Sequence, residues 1–211
     1  KTNRGFDFTG YKRPSLARRT QKRMQSLGVE TYDEYLDYLE GNPDECVELF
    51  DAILINVTSF FRDKEAWDYL SEHVVPQLIA LKEPDSPIRI WCAGSASGEE
   101  AYSIAMALLE FFDEQHHRRP VQIFATDLSE PTTLDKARAG VYPESIEAEL
   151  TPERLRRFFR REDHHYRIDK TIRDLCVFAR QNVASDPPFS HMDLISCRNV
   201  LIYMSTVLQK Q

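Results

Sequence analysis

The residues IRIWCAGSASGEE, from Ile88 to Glu100, decide the fold of this chain. The first six, Ile88–Ala93, form a compact apolar segment that predicts a buried β-strand. Gly94 and Gly98 then predict a tight turn at which a ligand can approach the backbone closely. The residues from Glu99 to Phe112 predict a helix. A strand, a glycine turn and a helix therefore follow one another without interruption.

A second apolar segment, Val121–Thr126, ends at Asp127 and predicts the next strand. Strand, helix and strand in this order form a βαβ unit, in which the strands are parallel and the crossover is right-handed. Met192–Cys197 predicts a further buried strand, with Arg198 and Asn199 at its carboxyl end. The sequence therefore predicts the α/β class with a doubly wound sheet.

The segment between these strands interrupts the alternation of strands and helices. Pro143–Arg161 is rich in charged residues and predicts helical structure. Tyr166–Ile168 and Ile172–Asn182 predict short strands around a turn near Asp169. This pattern indicates a small antiparallel β insertion within the α/β domain.

The charges at the first turn distinguish between classes of cofactor. A doubly wound sheet binds its ligand at the carboxyl ends of the strands, where Glu99 and Glu100 open the helix. Carboxylates at this position repel the pyrophosphate of a dinucleotide, which disfavours a nicotinamide-dependent dehydrogenase. S-adenosylmethionine has no phosphate and carries a cationic sulfonium and ammonium, so acidic residues favour it. Asp127 is the residue type that hydrogen-bonds a ribose diol.

Simpler interpretations of the same residues stay open at this point. The pattern of Gly94 and Gly98 is also consistent with a plain tight turn that binds nothing. Glutamates are favourable in the first turn of any helix, and one of these two is expected to stabilise the start of the helix without binding a ligand.

The first third of the chain predicts short helices. In the first of them, Ser15–Leu27, apolar residues fall on one face and basic residues on the other. The basic residues of this face are Arg18, Arg19, Lys22 and Arg23. Thr31 and Glu34 have the spacing of a capping box, which predicts the start of a second helix. A third helix is predicted from about Asp44 to Ile55.

The formal net charge is −7, yet no acidic residue lies between Phe8 and Val29. A basic patch on an acidic protein is typically used on an acidic partner, either a nucleic acid or an acidic protein helix. The sequence has no apolar run of the ~20 residues that a membrane span needs. Its four cysteines lack metal-ligand spacing. We therefore expect a soluble cytoplasmic protein with reduced thiols, no bound metal and no direct membrane insertion.

Five blocks of sequence, taken in order, carry a family resemblance. They are NVTSFFRD (56–63), GSASGEEAYSIA (94–105), FATDL (124–128), KARAGVY (136–142) and CRNVLIY (197–203). With these blocks the chain resembles the CheR-type chemotaxis receptor methyltransferases along nearly its whole length. The resemblance implies a protein-glutamate O-methyltransferase that uses S-adenosylmethionine, releases S-adenosylhomocysteine and serves adaptation in chemotaxis signalling.

The resemblance also implies the domain organisation. An all-α N-terminal domain with the basic helix is expected over residues 1–55, and a motif with a linker helix over 56–81. The methyltransferase domain is expected over residues 82–211, with the inserted subdomain at about 143–183. The sheet of the family continues beyond CRNVLIY through a helix and further strands. The C-terminal part of that sheet is therefore expected to be missing from this chain.

By position, the family's cofactor-binding residues correspond to Asn56, Thr58, Arg62, Glu100, Asp127, Asn182, Val183, Arg198 and Asn199. Gly94, in the glycine turn, is a further expected cofactor-binding residue. The residues near the transferring methyl group correspond to Arg62 and Tyr203, which are the expected catalytic residues. For Arg62 a surface salt bridge is the simpler interpretation. For Phe60 and Phe61 packing is the simpler one.

The expected partner is the acidic helical bundle in the cytoplasmic part of a chemotaxis receptor, contacted by the basic helix. Some family members also bind a pentapeptide at the receptor tail, and these have a longer stretch with glycine in the inserted subdomain. Residues 160–166 are short and glycine-free here, which indicates the class that does not use this tail.

Several alternatives remain open on the sequence. One alternative is that the methyl acceptor is RNA or a small molecule. RNA is disfavoured, because no aromatic residue lies between Lys12 and Arg23. We therefore expect no nucleic-acid partner. A cofactor-sensing or scaffold module without catalysis is a further alternative. The presence of Arg62, Asp127 and Tyr203 together disfavours it.

Overall fold

A computed structural model describes residues 8–54, 58–83, 86–116, 118–129 and 131–210. The chain divides into two compact units. One, here called the helical unit, comprises Lys1–Asn56 and Asn199–Gln211, and the other, the sheet unit, comprises Val57–Arg198.

Three helices form most of the helical unit: α1 (Arg13–Leu27), α2 (Tyr32–Gly41) and α3 (Glu45–Leu54). Helix α1 ends at Gly28, whose φ of +71° is the left-handed conformation that glycine adopts easily. The predicted capping box of α2 is confirmed. The Glu34 amide donates to Thr31 Oγ1 at 3.3 Å, and the Thr31 amide donates to the Glu34 carboxylate at 3.2 Å.

A charged cluster inside the helical unit joins its three helices. Glu45 is only 5% exposed and accepts two hydrogen bonds from Arg23, at 2.8 and 2.7 Å. The buried Tyr35 hydroxyl donates to the same carboxylate at 2.7 Å. The hydrogen bonds from Arg23 hold the pKa of Glu45 below its ordinary value. Arg23, predicted on the basic face of α1, is therefore half-buried and paired with Glu45 within this unit.

Arg19 is a second correction to the predicted basic face. Its side chain is 7% exposed, donates to the Ile53 carbonyl and lies over the Tyr203 ring at 4.4 Å from the centroid. The Tyr203 carbonyl in turn accepts from the Lys12 amide at 3.0 Å. Periodicity assigns a residue to a face, but a long arginine side chain reaches across to partners that periodicity does not show.

The sheet unit alternates helices and strands. Its helices are α4 (Lys64–Tyr69), α5 (Val75–Ala80), α6 (Glu99–Glu114), α7 (Pro131–Ala139), α8 (Pro152–Phe158) and α9 (Lys170–Arg173). Its strands are β1 (Ile88–Ala93), β2 (Val121–Asp127), β3 (Val141–Pro143), β4 (Phe159–Glu162), β5 (His165–Ile168), β6 (Cys176–Arg180) and β7 (Leu194–Ser196). A π-helical turn, Leu70–Val74, joins α4 to α5.

Four strands form a parallel sheet in the order β6-β2-β1-β7. In the central pair, Ile88 lies opposite Val121 and Ala93 opposite Thr126. Residues 101–108 of α6 are buried without exception, as expected for a helix that fills the core of an α/β layer. The predicted α/β class is therefore confirmed, and the strand ends of β1, β2, β6 and β7 point to one edge.

A second sheet, in the order β3-β5-β4, is antiparallel and confirms the small insertion. The structure corrects its predicted composition. Ile172–Asn182 was expected to pair within the insertion, yet β6 runs parallel to β2, with Phe178 opposite Ala125. A short apolar strand carries no signal for the direction of its partner, and here burial against the core decided it. Arg160 and Arg161 lie in β4 rather than in a helix.

The charged cluster gives a stability prediction. Replacing Glu45 with alanine leaves Arg23 and the Tyr35 hydroxyl without their acceptor, and we expect it to lower the free energy of unfolding by about 2–3 kcal/mol. Glu48→Ala is the matched control, because the Glu48 side chain is 61% exposed and lies 3.6 Å from Arg23. Its expected cost is below about 0.5 kcal/mol. Urea unfolding followed by circular dichroism measures both, and equal losses would contradict the prediction.

Candidate functional site

The glycine turn after β1 is fixed to the end of β2. The amides of Gly94 and Ser95 both donate to the Thr126 carbonyl, at 2.7 and 3.0 Å. Gly98 has a φ of +99°, and a Cβ there would lie 3.1 Å from Ala137 Cβ and from Phe178 Cζ. Glycine is therefore required at the start of α6, both for the conformation and for the close approach of α7 and β6.

Asp127, at the carboxyl end of β2, orders the loops on both sides of it. One carboxylate oxygen accepts from the Ala96 amide at 2.7 Å. The other accepts from the Ser129 amide at 2.8 Å and from the Ser129 hydroxyl at 2.5 Å. A carboxylate has about four acceptor positions, and hydrogen bonds from the described residues occupy three of them, which leaves one for a ligand hydroxyl. The predicted cofactor residue thus also shapes the turn.

Glu100 lies at the centre of the carboxyl edge. It accepts from the Ser196 hydroxyl on β7 at 2.5 Å and from the Cys92 thiol on β1 at 3.7 Å. Burial raises its pKa, while the Ser196 hydrogen bond and the positive charges of Arg198 and Arg62 act in the opposite direction. Three of the predicted cofactor residues, Glu100, Arg198 and Arg62, are therefore electrostatic neighbours.

Glu99 differs from its neighbour in its surroundings. Both of its carboxylate oxygens accept from the Ser97 hydroxyl, at 3.0 and 2.8 Å. Burial raises its pKa to about 7, and the negative charge of Glu149 adds to the effect. Glu99 thus belongs to the interior of the sheet unit, in line with the expectation that one glutamate of the pair only opens the helix.

Arg198 connects the two predicted motifs at residues 56–63 and 197–203. Its guanidinium donates to the Arg62 carbonyl at 2.7 Å and to the Asp63 carboxylate at 2.9 Å. The same guanidinium lies 5.3 Å from the centre of the Trp67 ring. Within the sheet unit, the structure therefore brings Arg198 to the loop that carries Arg62.

The other predicted cofactor residues are not linked to Glu100 or Asp127 by a hydrogen bond among the described residues. Asn182 forms a turn after β6, in which its side-chain oxygen accepts from the Ala184 amide at 3.0 Å. Val183 and Thr58 are half-buried. Asn56 lies outside the described residues. Asn199 and Tyr203 belong to the helical unit, and their predicted roles in cofactor binding and catalysis stay predictions.

The fit of a polar ligand to this edge rests on two buried atoms. Ser95 Oγ in the glycine turn and Gln181 Oε1 after β6 are buried and have no hydrogen-bond partner among the residues that the structure describes. Buried polar groups are normally paired, so two such atoms at one sheet edge fit a ligand that supplies their partners. With the acidic Glu100 and the spare position on Asp127, the edge suits a cationic ligand that carries a ribose.

Some of these residues were not predicted. Gln181 was missed because its strand was assigned to the antiparallel insertion. Ser196 and Cys92 lie in apolar strands and donate hydrogen bonds to Glu100. The hydroxyl of Ser196 in an otherwise apolar strand was a signal from which this contact could have been predicted. Glu149 lies 89 residues from the Phe60 amide to which it is bonded, and no local pattern indicates that pair.

Comparison with known proteins identifies the family of both halves of the sequence. Residues 56–211 match a family described as "CheR methyltransferase, SAM binding domain", and residues 1–54 match "CheR methyltransferase, all-alpha domain". S-adenosylmethionine is therefore the cofactor of this chain. The described helices include none that is long and apolar enough to span a membrane.

Individual relatives agree with the family match. The chain is 33% identical over 208 residues to "Chemotaxis protein methyltransferase" of Borreliella burgdorferi, covering 95% of this chain and 73% of the relative. It is 30% identical over 218 residues to the protein of the same description from Escherichia coli, covering 98% and 72%. It is also 40% identical over 205 residues to "Uncharacterized 104.1 kDa protein in hypE 3'region" of Rhodobacter capsulatus. That match covers 97% of this chain but spans only 21% of the relative.

The raised pKa of Glu99 predicts a pH-dependent stability. Because its pKa is about 7 in the folded chain and about 4.5 otherwise, the unfolded chain ionises first and stability falls as pH rises from 4.5 to 7. Glu99→Gln removes this loss, so the variant should be more stable than the parent by about 1–3 kcal/mol near pH 8. Near pH 4.5 the two should be equal.

Urea unfolding at both pH values measures this difference. The control is Glu153→Gln, at an exposed glutamate of α8, and it should match the parent at both pH values. A difference between Glu99→Gln and the parent that does not change with pH would contradict the assignment of the raised pKa to Glu99.

Proposed function

The chain belongs to the CheR methyltransferase family, and from this membership we propose that it forms methyl esters on glutamate side chains of a chemotaxis receptor. The observation that carries the proposal is the Glu100 carboxylate, half-buried at the carboxyl edge with Arg198 and Arg62 as electrostatic neighbours. This arrangement supports a site that combines a cationic cofactor with an anionic acceptor.

The bound cofactor supplies a methyl group on a positively charged sulfur. The acceptor needs no general base, because a glutamate side chain with a reference pKa of about 4.3 is already ionised at neutral pH. What the chain must provide is alignment and exclusion of water. Glu100 and Asp127 would hold the cationic and ribose parts of the cofactor, with Ser95 and Gln181 as further hydrogen-bonding groups. Arg62 would orient the acceptor carboxylate through charge-assisted hydrogen bonds.

A methyltransferase of chemotaxis is supported by the names of the relatives, two of which are described as chemotaxis protein methyltransferases. Glutamate as the acceptor is the finer part of the proposal. The absence of any need for a base is consistent with it. Since the methylated region of such a receptor is a cytoplasmic helical bundle, we place the chain in the cytoplasm. No feature of the described residues favours a cofactor-sensing or scaffold module without catalysis.

The form of the inserted sheet supports recognition that does not use a receptor tail. Strands β4 and β5 are joined by a tight turn at Asp163 and His164. Asp163 has a φ of +48°, and its flanking residues Glu162 and His165 are paired across the hairpin. This turn has no room for the longer glycine-containing stretch of the tail-binding class, so we propose that the receptor bundle itself is the docking partner.

Cofactor binding is tested by calorimetric titration with S-adenosylhomocysteine. Asp127→Asn removes the charge that holds the Ala96 and Ser129 amides, and we expect the affinity to fall about tenfold or more. Asp193→Asn is the matched control, because Asp193 accepts from the Arg89 amide at 2.8 Å and pairs with Lys82 before β7, at the opposite edge. No binding by the parent chain, or equal affinities of the two variants, would contradict the proposed site.

The corrected basic face gives a prediction for receptor recognition. Since Arg19 is buried and Arg23 is paired with Glu45, the fully exposed cations of the predicted set are Arg18 and Lys22. Reversing both to glutamate should slow methylation of a receptor cytoplasmic fragment about three- to tenfold at low salt. The loss should shrink as salt is added, and S-adenosylhomocysteine affinity should stay unchanged. An undiminished rate at low salt would remove α1 from the docking surface.

A further inference from the structure

The backbone around Arg62 has a conformation that its own residues do not favour. Phe61 has a φ of +48° and Asp63 a φ of +62°, so left-handed residues flank Arg62 on both sides. Neither residue is glycine, and an aromatic residue in this region is uncommon. Such conformations persist where the surroundings fix them, and they cluster at functional sites. The contacts of this loop therefore indicate what holds Arg62 in place.

Three backbone groups near Arg62 have side-chain partners. The Phe60 amide donates to Glu149 at 2.8 Å, and the Phe61 amide donates to the Ser103 hydroxyl at 3.0 Å. The Arg62 carbonyl accepts from Trp67 Nε1 and from Arg198, each at 2.7 Å. These bonds fix the backbone on both sides of the arginine.

Arg154 holds the Phe61 ring. Its guanidinium lies 3.6 Å from the ring centroid, within the range of a strong cation–π contact. Two hydrogen bonds of 2.8 Å to Glu110 on α6 fix the plane of the guanidinium. The Trp67 ring packs edge-on against the same phenylalanine at 5.2 Å. The ring therefore packs against both Arg154 and Trp67, and Arg154 cannot turn away from it without losing its fork to Glu110.

The neighbouring Phe60 packs against residues of the same inserted segment. It is 2% exposed, and its ring packs edge-on against Tyr142 at 4.9 Å and Phe159 at 5.5 Å. Tyr142, Glu149, Arg154 and Phe159 all lie between the start of β3 and the end of β4. The small antiparallel part of the sheet unit therefore supplies much of what surrounds this loop.

We propose that Glu149 and Arg154 are positioning residues for Arg62. They hold Phe60 and Phe61 in the geometry that presents the Arg62 guanidinium beside Glu100, without touching cofactor or acceptor themselves. The inserted segment then has a role in the reaction that is separate from any receptor contact. This inference rests on the proposed function, because it gives Arg62 its role in methyl transfer.

The test compares two arginines on one helix. Arg154→Lys keeps the charge but removes the fork to Glu110 and the planar contact with Phe61. Arg157→Lys is the matched control, because Arg157 pairs with Asp113 on α6 and lies over a different ring, that of Phe158. In the full chain, kcat for methylation of a receptor cytoplasmic fragment should fall about tenfold or more in Arg154→Lys alone. The KM for S-adenosylmethionine and the affinity for S-adenosylhomocysteine should change less than about twofold.

Amide hydrogen exchange provides a readout that does not depend on activity. The peptide that contains Phe60 and Phe61 should lose protection in Arg154→Lys and in Glu149→Ala, and keep it in Arg157→Lys. Equal kcat values for the two lysine variants, in a parent chain that is active, would overturn the positioning role even if protection were lost. No methyl transfer by the parent chain would instead overturn the proposed function, and this role with it.

Discussion

The half-buried carboxylate of Glu100 is the constraint on which the carboxyl edge of the sheet depends. A buried carboxylate is costly unless hydrogen bonds and opposite charges offset it. Here Ser196 on β7 and Cys92 on β1 supply the hydrogen bonds, and Arg62 and Arg198 supply positive charge. Arg198, which follows β7, and Arg62, which precedes α4, are therefore electrostatic neighbours of one carboxylate. Asp127 lies at the end of the neighbouring strand β2.

The helical unit also offsets a buried carboxylate with positive charge, and this pairing stabilises the unit. Its basic helix uses Arg23 to neutralise the buried Glu45, and it uses Arg19 for the Ile53 carbonyl and the Tyr203 ring. These cations stabilise the unit, and their guanidinium groups are paired within it. The docking surface proposed for the receptor is consequently smaller than the charge pattern of α1 indicates, and it depends on Arg18 and Lys22.

Sequence reasoning reached the class of fold, the glycine turn, the capping box of α2 and the cofactor, because each depends on residues close together in the chain. It failed for β6, since apolar content predicts a strand but not the direction of its partner. It did not predict the burial of Arg19 or the pairing of Arg23 with Glu45, because these partners lie on other segments of the helical unit. Glu149 and Arg154 were not found at all, because their contacts with Phe60 and Phe61 join segments about ninety residues apart.

The most direct test of the central claim is mass spectrometry of a receptor cytoplasmic fragment after incubation with the chain and S-adenosylmethionine. The account predicts a mass increase of one methyl group on glutamate side chains, reversed by mild alkali because the product is a carboxyl ester. The increase should be absent when Arg62 is replaced by alanine. An alkali-stable methyl group, or methylation of a residue type other than glutamate, would contradict the assignment of the acceptor.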